Sequence, residues 1–518
     1  MIWAAHPRRI LAKLMVACVM ISHPMPQPAP IRISKSKFVA GIQCLKRVYF
    51  QVHQPELAEE EDEGLQSRLE QGQEVGLFAQ KRFPGGVLVG FENGIGDALA
   101  HTAALMNDSS VRAIFEATFM YASLLVRVDI LQRRPSNSWR LIEVKSSVEV
   151  KPHYLYDLAI QHHVLSGCGL AISSACLMHL NRDYRYDGKQ HDLTALFTIR
   201  NQTKQVQELG ADLLGLLKRQ RKALSQPSPP DISAGPQCTH PYTCEYFSHC
   251  NPELPEHHIS FLPRLSVKKQ KALIELGITL IPEIPEDFPL TEIQARVFAS
   301  VTTGQTWISK ALHEELSQLE YPLFFMDFES VYPAIPRFSG MGPYSQIPFQ
   351  WSVHRQASPR ASLEHFEYLA DDQCDPRQKF IESLCQVLGK RGYIVVYNSS
   401  FESQRLRELA DWLPEYQEQI KNIRARLWDL LPFVKRHVYH PEFRGSFSIK
   451  SVLPALVPGM SYDSMEVAEG NGAGLAWEQI TRSELPPAHR RRLRKALLAY
   501  CRQDTLAMVK IVQRLRRS

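Results

Sequence analysis

Two stretches of this sequence hold carboxylates at spacings that chemistry could use. In Leu-Phe-Phe-Met-Asp327-Phe-Glu329-Ser, two acids stand two residues apart at the end of an apolar run. Such a run reads as a buried strand, and residues i and i+2 of a strand share a face. Neighbouring carboxylates repel each other, so a cation favours the pair, and hard ions such as Mg²⁺ or Mn²⁺ favour oxygen ligands. The other stretch comprises Leu-Leu-Val-Arg-Val-Asp129 and then Leu-Ile-Glu143-Val-Lys145. On paired strands Asp129, Glu143 and Lys145 would converge. The acids would hold a metal ion, and the lysine would steady the attacking water or the developing negative charge. Each tripeptide alone is common, and a solvated face is its usual explanation.

Order along the chain makes the later site more specific. Tyr397-Asn398-Ser-Ser-Phe401-Glu402 follows a second buried strand and opens a helix. Tyr500-Cys-Arg-Gln-Asp504 sets a phenol and a carboxylate one helical turn apart. This series resembles the DEDD exonuclease superfamily on a ribonuclease H-like fold, in its tyrosine-bearing branch, from about Tyr321 onward. The resemblance implies that Asp327, Glu329, Glu402 and Asp504 bind two metal ions and that Tyr500 orients the attacking water. Glu402 stands where that superfamily usually has aspartate. Asp429, in Leu-Trp-Asp429-Leu-Leu, reads as the start of a helix.

The earlier set resembles the RecB-like group of PD-(D/E)XK nucleases, which includes the CRISPR adaptation nucleases. Gln161 matches that group's glutamine motif, and Glu116 an upstream acidic position. Many members carry a histidine in the first motif. Gly72-Gln-Glu-Val-Gly76 has none, which leaves Glu74 as a substitute or the module as degenerate. Cys44 precedes this core, and Cys238, Cys244 and Cys250 follow it. One early and three late cysteines resemble the iron–sulfur staple of these enzymes, and four thiolates suit a [4Fe–4S] cluster. Zinc held with His240 or His249, or unliganded thiols, are the alternatives.

The rest of the chain bounds these readings. A net charge of +6, from 60 basic and 54 acidic residues, permits a nucleic-acid partner without demanding one. Ten cysteines in 518 residues do not describe a secreted disulfide scaffold. Cys168, Cys176, Cys374, Cys385 and Cys501 lie in apolar or helical contexts and read as core residues. The first thirty residues read as a loose extension, with Met20 or Met25 as an alternative start. Their apolar run is interrupted by Lys13 and is too short to span a bilayer. The expectation is a cytoplasmic protein without membrane contact.

Proline-rich breaks at 23–30, 225–236 and 282–289 divide the chain. The expected class is α/β, with four parts. An extension covers 1–30, a RecB-like PD-(D/E)XK nuclease module with its cysteines 31–255, a helical connector 256–318, and a ribonuclease H-like DEDD exonuclease domain 319–518. Helices are expected over 35–50, 70–83, 154–165, 375–390 and 487–515. Strands are expected over 124–131, 139–146, 323–329, 349–355, 363–369 and 393–397. Two short helices around Gly277 could resemble a helix–hairpin–helix, with a plain helical spacer as the alternative. The basic run Arg490, Arg491, Arg492, Arg494 and Lys495 could line a nucleic-acid path or be a solvated face.

Close in layout to an uncharacterised bacterial family that fuses these two modules, the sequence leads to the expectation of a metal-dependent nuclease. It would favour DNA over RNA, in repair or defence. The alternatives are a nucleic-acid-binding scaffold with one or both modules degenerate, and a ribonuclease.

Overall fold

The structure is a computed structural model that describes residues 31–59, 63–251, 254–370, 373–467, 470–481 and 485–518. The expected extension over 1–30 lies outside the described residues. The chain forms two α/β units, each with its own sheet, joined by a largely helical segment.

The first unit begins with β1 (Ile33–Ser34), α1 (Lys35–Gln43), α2 (Leu45–His53) and α3 (Glu63–Lys81). Next come β2 (Val87–Leu88), α4 (Ile95–Asn107), β3 (Ala113–Tyr121), β4 (Leu124–Arg134) and β5 (Ser138–Lys145). It continues with α5 (Tyr154–Gly167), β6 (Ile172–Leu180), α6 (Leu193–Leu196), β7 (Phe197–Asn201) and α7 (Thr203–Leu224). Strands β2 to β7 pair in chain order, and β1 adds to β4.

One edge of β4 is shared. β5 pairs with Ile130–Arg134, whereas β1 runs parallel to Leu124 and Leu125. Asp129 lies in the gap between them, with α1 starting directly from β1. On one face of the sheet, Phe38 of α1, Leu158 of α5 and Leu213 of α7 pack over Val126 and Val128. On the other, Val75 and Ala79 of α3 cover Ile130 and Ile142.

The segment between the units holds α8 (Phe247–Cys250), α9 (Val267–Glu275), α10 (Glu292–Thr303), β8 (Trp307–Ile308) and α11 (Leu312–Ser317). The second unit follows with β9 (Leu323–Val331), β10 (Ile347–Gln356), β11 (Leu363–Leu369), α12 (Arg377–Leu388) and β12 (Ile394–Val396). Then come α13 (Ser400–Trp412), α14 (Gln417–Ala425), β13 (Leu427–Asp429), α15 (Leu430–His437) and β14 (Val438–Tyr439). The described elements end with α16 (Ile449–Leu456), α17 (Gly470–Thr481) and α18 (Pro487–Leu515).

The second sheet has the order β11-β10-β9-β12-β13. β9, β10 and β11 are antiparallel neighbours, while β12 and β13 run parallel to β9. Alternation sorts the side chains of β9. Phe324, Met326 and Phe328 pack with Phe380 and Leu384 of α12, whereas Phe325 and Val331 join a cluster with Leu497 and Met508 of α18. Asp327 and Glu329 share the odd-numbered face, so the fold turns both acids toward α18.

Several expectations change. The helix expected over 35–50 is two helices, because Cys44 is extended (φ −158°, ψ 126°) and breaks it. Around Gly277, with φ +75°, there is one helix and a 3-10 turn at Ile281–Glu283, so no pair of α-helices forms a hairpin there. β3, which carries Glu116, was not anticipated, nor were β6 and β7. Cys168 and Cys374 are exposed, not core. No described helix is long and apolar enough to cross a membrane.

Gly392 sets the spacing of β12 against β9. Its φ is +88°, and an added Cβ would lie 2.1 Å from the Pro322 carbonyl oxygen. Gly392→Ala is therefore expected to destabilise the protein by about 2–4 kcal/mol, read as a lower urea midpoint at unchanged slope.

Candidate metal centres

The carboxylates of Asp327, Glu329 and Asp504 each offer an oxygen within 4.8 Å of the others. Strand alternation supplies the first two, and α18 brings Asp504 across from the other side. Glu329 and Asp504 are buried. Burial raises the Asp327 carboxyl well above its usual range, and Asp504, Glu329 and Glu402 add to the effect. Burial, Asp504 and Glu402 do the same to Glu329. Asp504 is raised less, to about 6, because Tyr462, Lys450 and Tyr500 offset its burial.

Tyr462 donates its hydroxyl to Asp504 Oδ1 at 2.6 Å, and Tyr500 also hydrogen-bonds that carboxylate. Cys501 rests its thiol 3.6 Å from Asp327 Oδ2. Lys450, exposed at the start of α16, is the cation that acts on Glu329 and Asp504.

Glu402 stands outside the group of three. It lies in the first turn of α13, only 2% exposed, with Oε2 buried and, among the described residues, without a hydrogen-bond partner. Burial, and then Asp429, raise its carboxyl to about 8. Its field reaches Asp327 and Glu329. Asp429 caps α15 through the Leu431 amide and also accepts from the Asn398 and Ser399 amides at 2.9 and 2.8 Å. It thus fixes the left-handed turn at Asn398 (φ 74°) that aims α13.

A cavity of about 480 Å³ opens beside Glu329, lined by Tyr332, Gln346, Phe401 and Lys450 and also by Ser67 and Gln71 of α3. The first unit therefore walls the second unit's site.

The earlier set of residues forms a different kind of centre. Asp129 accepts the Val144 amide at Oδ2 (2.6 Å), just past the end of the β4–β5 ladder. Glu143, 2% exposed, accepts from Lys35 Nζ at both oxygens (2.9 Å each), from Lys145 Nζ (2.9 Å) and from Gln161 Nε2 (2.7 Å). Lys145 also meets Asp157 Oδ2 at 2.5 Å. Burial would raise the Glu143 carboxyl, but Lys145 and Lys35 hold it at about 2. Asp129 is raised to about 7 by burial and by Glu143. Glu116, at φ 55° beside the skipped β3–β4 step, pairs instead with Arg127 at 3.2 Å. Glu74 lines a separate cavity with Arg337 and Glu478.

Cys44, Cys238, Cys244 and Cys250 are free thiols lining one small cavity with Arg47, Phe50 and Tyr246. Neither His240 nor His249 lines it. Among the described residues, no three of these thiols come within 4.8 Å of one another. Burial raises the Cys244 thiol to about 11. The segment is fastened to α1 and α2: Gln43 donates to the Gln237 and Tyr242 carbonyls, and Arg47 and Gln51 grip Glu245.

Residues 324–448 match the family model described as Domain of unknown function (DUF2779). The match includes Asp327, Glu329 and Glu402 and ends before Asp504. Over 243 residues the chain is 26% identical to Uncharacterized protein UU173 of Ureaplasma parvum serovar 3, covering 40% of this chain and 33% of that protein. It is 26% identical over 209 residues to Uncharacterized protein MG366 homolog of Mycoplasma pneumoniae, covering 36% and 31%. The matched region thus spans about a third of the length of these curated relatives. A solved structure, the crystal structure of SSO0001, aligns with 39% of this chain and 87% of its own at 15% identity, with a TM-score of 0.17. That likeness carries no argument about fold or function.

Lys35, Lys450 and Tyr462 were not anticipated, since each reaches its acids from a distant element. Asp157 had a faint signal, lying one helical turn before Gln161 on α5.

The raised acids make stability depend on pH. Asp327, Glu329, Glu402 and Asp504 bind protons more tightly folded than unfolded, so folding takes up protons above about pH 4. Metal-free stability is therefore expected to fall as pH rises from about 5 to 8. Mn²⁺ must displace these protons, so its stabilising effect should grow over the same window. Thermal melts should show both trends, and Asp327→Asn should raise the metal-free Tm at pH 8 while shrinking the Mn²⁺ shift.

Proposed function

We propose that the protein is a metal-dependent nuclease whose working centre is Asp327, Glu329 and Asp504, with Glu402 as an outer ligand. It would remove nucleotides from 3′ ends, on DNA in preference to RNA. The observation that carries this reading is the convergence of three carboxylates within 4.8 Å, where burial and mutual repulsion disfavour their charged forms. A buried acid group of that kind is stable only with protons or metal cations.

Asp327, Glu329 and Asp504, with Glu402 outside them, would hold divalent ions, whose chemistry would be to furnish a hydroxide nucleophile and offset charge at the scissile phosphate. Tyr500, bonded to Asp504, would orient the attacking water. Tyr462 holds Asp504 in place, and Lys450 would meet the incoming phosphate at the rim of the cavity. In this reading the second sheet, with α18 across it, is a ribonuclease H-like exonuclease domain. The first unit is a RecB-like PD-(D/E)XK module.

The four thiols fit a [4Fe–4S] cluster better than one zinc ion. Four sulfurs and neither His240 nor His249 line the cavity, which is the donor set of such a cluster. The cluster would be structural, reinforcing the clamp of α1 and α2 against 237–250. Anaerobically purified protein is expected to be brown and to carry iron, both lost in Cys244→Ser. Colourless, zinc-loaded protein would overturn the assignment.

A second reading, a nucleic-acid-binding scaffold with a degenerate first module, is favoured by one observation. Glu143 already has two lysines as partners.

The test is digestion of 5′- and 3′-labelled DNA and RNA, single- and double-stranded, with Mg²⁺ or Mn²⁺. Degradation from 3′ ends is expected. Asp327→Ala should abolish it, Tyr500→Phe should slow it on the order of 10²-fold, and Lys145→Ala should apportion any remainder to the first unit. If every substrate stays intact, the proposal fails. Cleavage of RNA alone would make the protein a ribonuclease, and tight binding without cleavage would favour the scaffold.

A further inference from the structure

We infer that Lys35 is the resident counter-cation of the Asp129–Glu143 pair, and that a divalent ion enters this centre only after Lys35 withdraws. The inference depends on the proposed function only in treating these two acids as potential metal ligands.

The geometry is that of an occupied cation position. Lys35 Nζ lies 2.9 Å from both oxygens of Glu143 and 4.0 Å from Asp129 Oδ1. Mg²⁺ binds carboxylate oxygens at about 2.0–2.1 Å and requires near-octahedral room around it. An ion bound between the same carboxylates would sit against the ammonium, with like charges in a buried site. The remaining valence of Glu143 is also taken, by Lys145 and Gln161. Among the described residues, no such cation lies between Asp327, Glu329 and Asp504, where Lys450 stands at the exposed rim. The two acid groups therefore differ in kind: one is neutralised from within the chain, the other is not.

Lys35 is also held in place, unlike a surface lysine that has found a nearby acid. β1 pairs with β4 immediately before it, at Leu124 and Leu125. Ser34 caps α1 through the Lys37 amide. At the other end of the helix, Gln43 is tied to Gln237 and Tyr242, and Cys44 faces the thiol cavity. Displacing Lys35 thus means moving α1 or swinging the side chain out of the gap between β1 and β5. Anything that loosens the thiol segment's hold on α1 would make that easier.

The test counts Mn²⁺ bound per full-length chain, by EPR of the unbound ion, and so does not depend on nuclease activity. With Lys35 present, Glu143→Gln should leave the count unchanged. Lys35→Met should add one ion, bound at least tenfold more tightly than anything Glu143 holds in the unaltered chain, and Lys35→Met combined with Glu143→Gln should remove it. Circular dichroism melts establish that the variants are folded. A lower count in Glu143→Gln alone, for an ion that Lys35→Met does not bind more tightly, would overturn the inference, because Lys35 would then not compete with that ion. So would a folded Lys35→Met protein that gains no ion. If Lys35→Met does not fold, Lys35→Gln takes its place with the same counts expected. Loss of nuclease activity with these counts as expected would count against the proposed function alone.

Discussion

Mutual repulsion among Asp327, Glu329, Glu402 and Asp504 is the constraint around which the second unit is built. Such a group is costly in a low-dielectric interior. The costs are met locally: Tyr462 and Tyr500 hydrogen-bond to Asp504, and Lys450 lies at the cavity edge. Neither tyrosine supplies a charge, so the compensation is incomplete. Pairs of Phe, Met and Leu side chains on both faces of β9 hold the strand where its acids must face α18. Packing energy stabilises an arrangement that electrostatics alone would not.

The first unit resolves the same problem differently. There Glu143 receives two ammonium groups and an amide, and its carboxyl falls to about 2, while Asp129 keeps one amide bond and is raised to about 7. Two ammonium groups hold Glu143 ionised, while Asp129, beside that charge and with one amide bond, is the acid of the pair that takes up a proton more readily. The physical origin lies in the backbone. β1 and β5 share the edge of β4 and leave a gap at Asp129, and α1 leaves β1 with Lys35 as its first residue.

How much of this was legible in the sequence follows from the range of each interaction. The alternation of β9 and the spacing of Tyr500 and Asp504 are local, and α18 runs over the anticipated Pro487–Leu515. Asp429 starts a helix as its sequence context suggests, but its hold on Asn398 and Ser399 depends on β13 lying beside β12. The break at Cys44 was hidden because Leu45 onward is itself helix-forming, and only the clamp to 237–250 reveals why the chain turns. β3 was missed although it is apolar, since Glu116 interrupts its pattern where the ladder to β4 also skips a step. Lys35, Lys450 and Tyr462 meet acids far away in the chain, so no window of sequence contains both partners.

The contact between units joins the two centres physically. The loop after β9 leaves Glu329 and crosses to the first unit. Its Ala334 amide donates to Gln71 Oε1 at 3.1 Å, and Ala334 and Ile335 enter the core under α3. The same loop returns through Tyr344, whose hydroxyl pairs with Ser146 at 2.7 Å, next to Lys145. One segment therefore runs from the end of the strand bearing Asp327 and Glu329 to the end of the strand bearing Glu143 and Lys145. Ser67 and Gln71 complete the cavity beside Glu329 from the other side. A displacement of α3 or β5 would be felt at that cavity through packed side chains and hydrogen bonds. The first unit thus shapes the second unit's site even while Lys35 fills its own, which gives it a role that does not require a metal ion of its own.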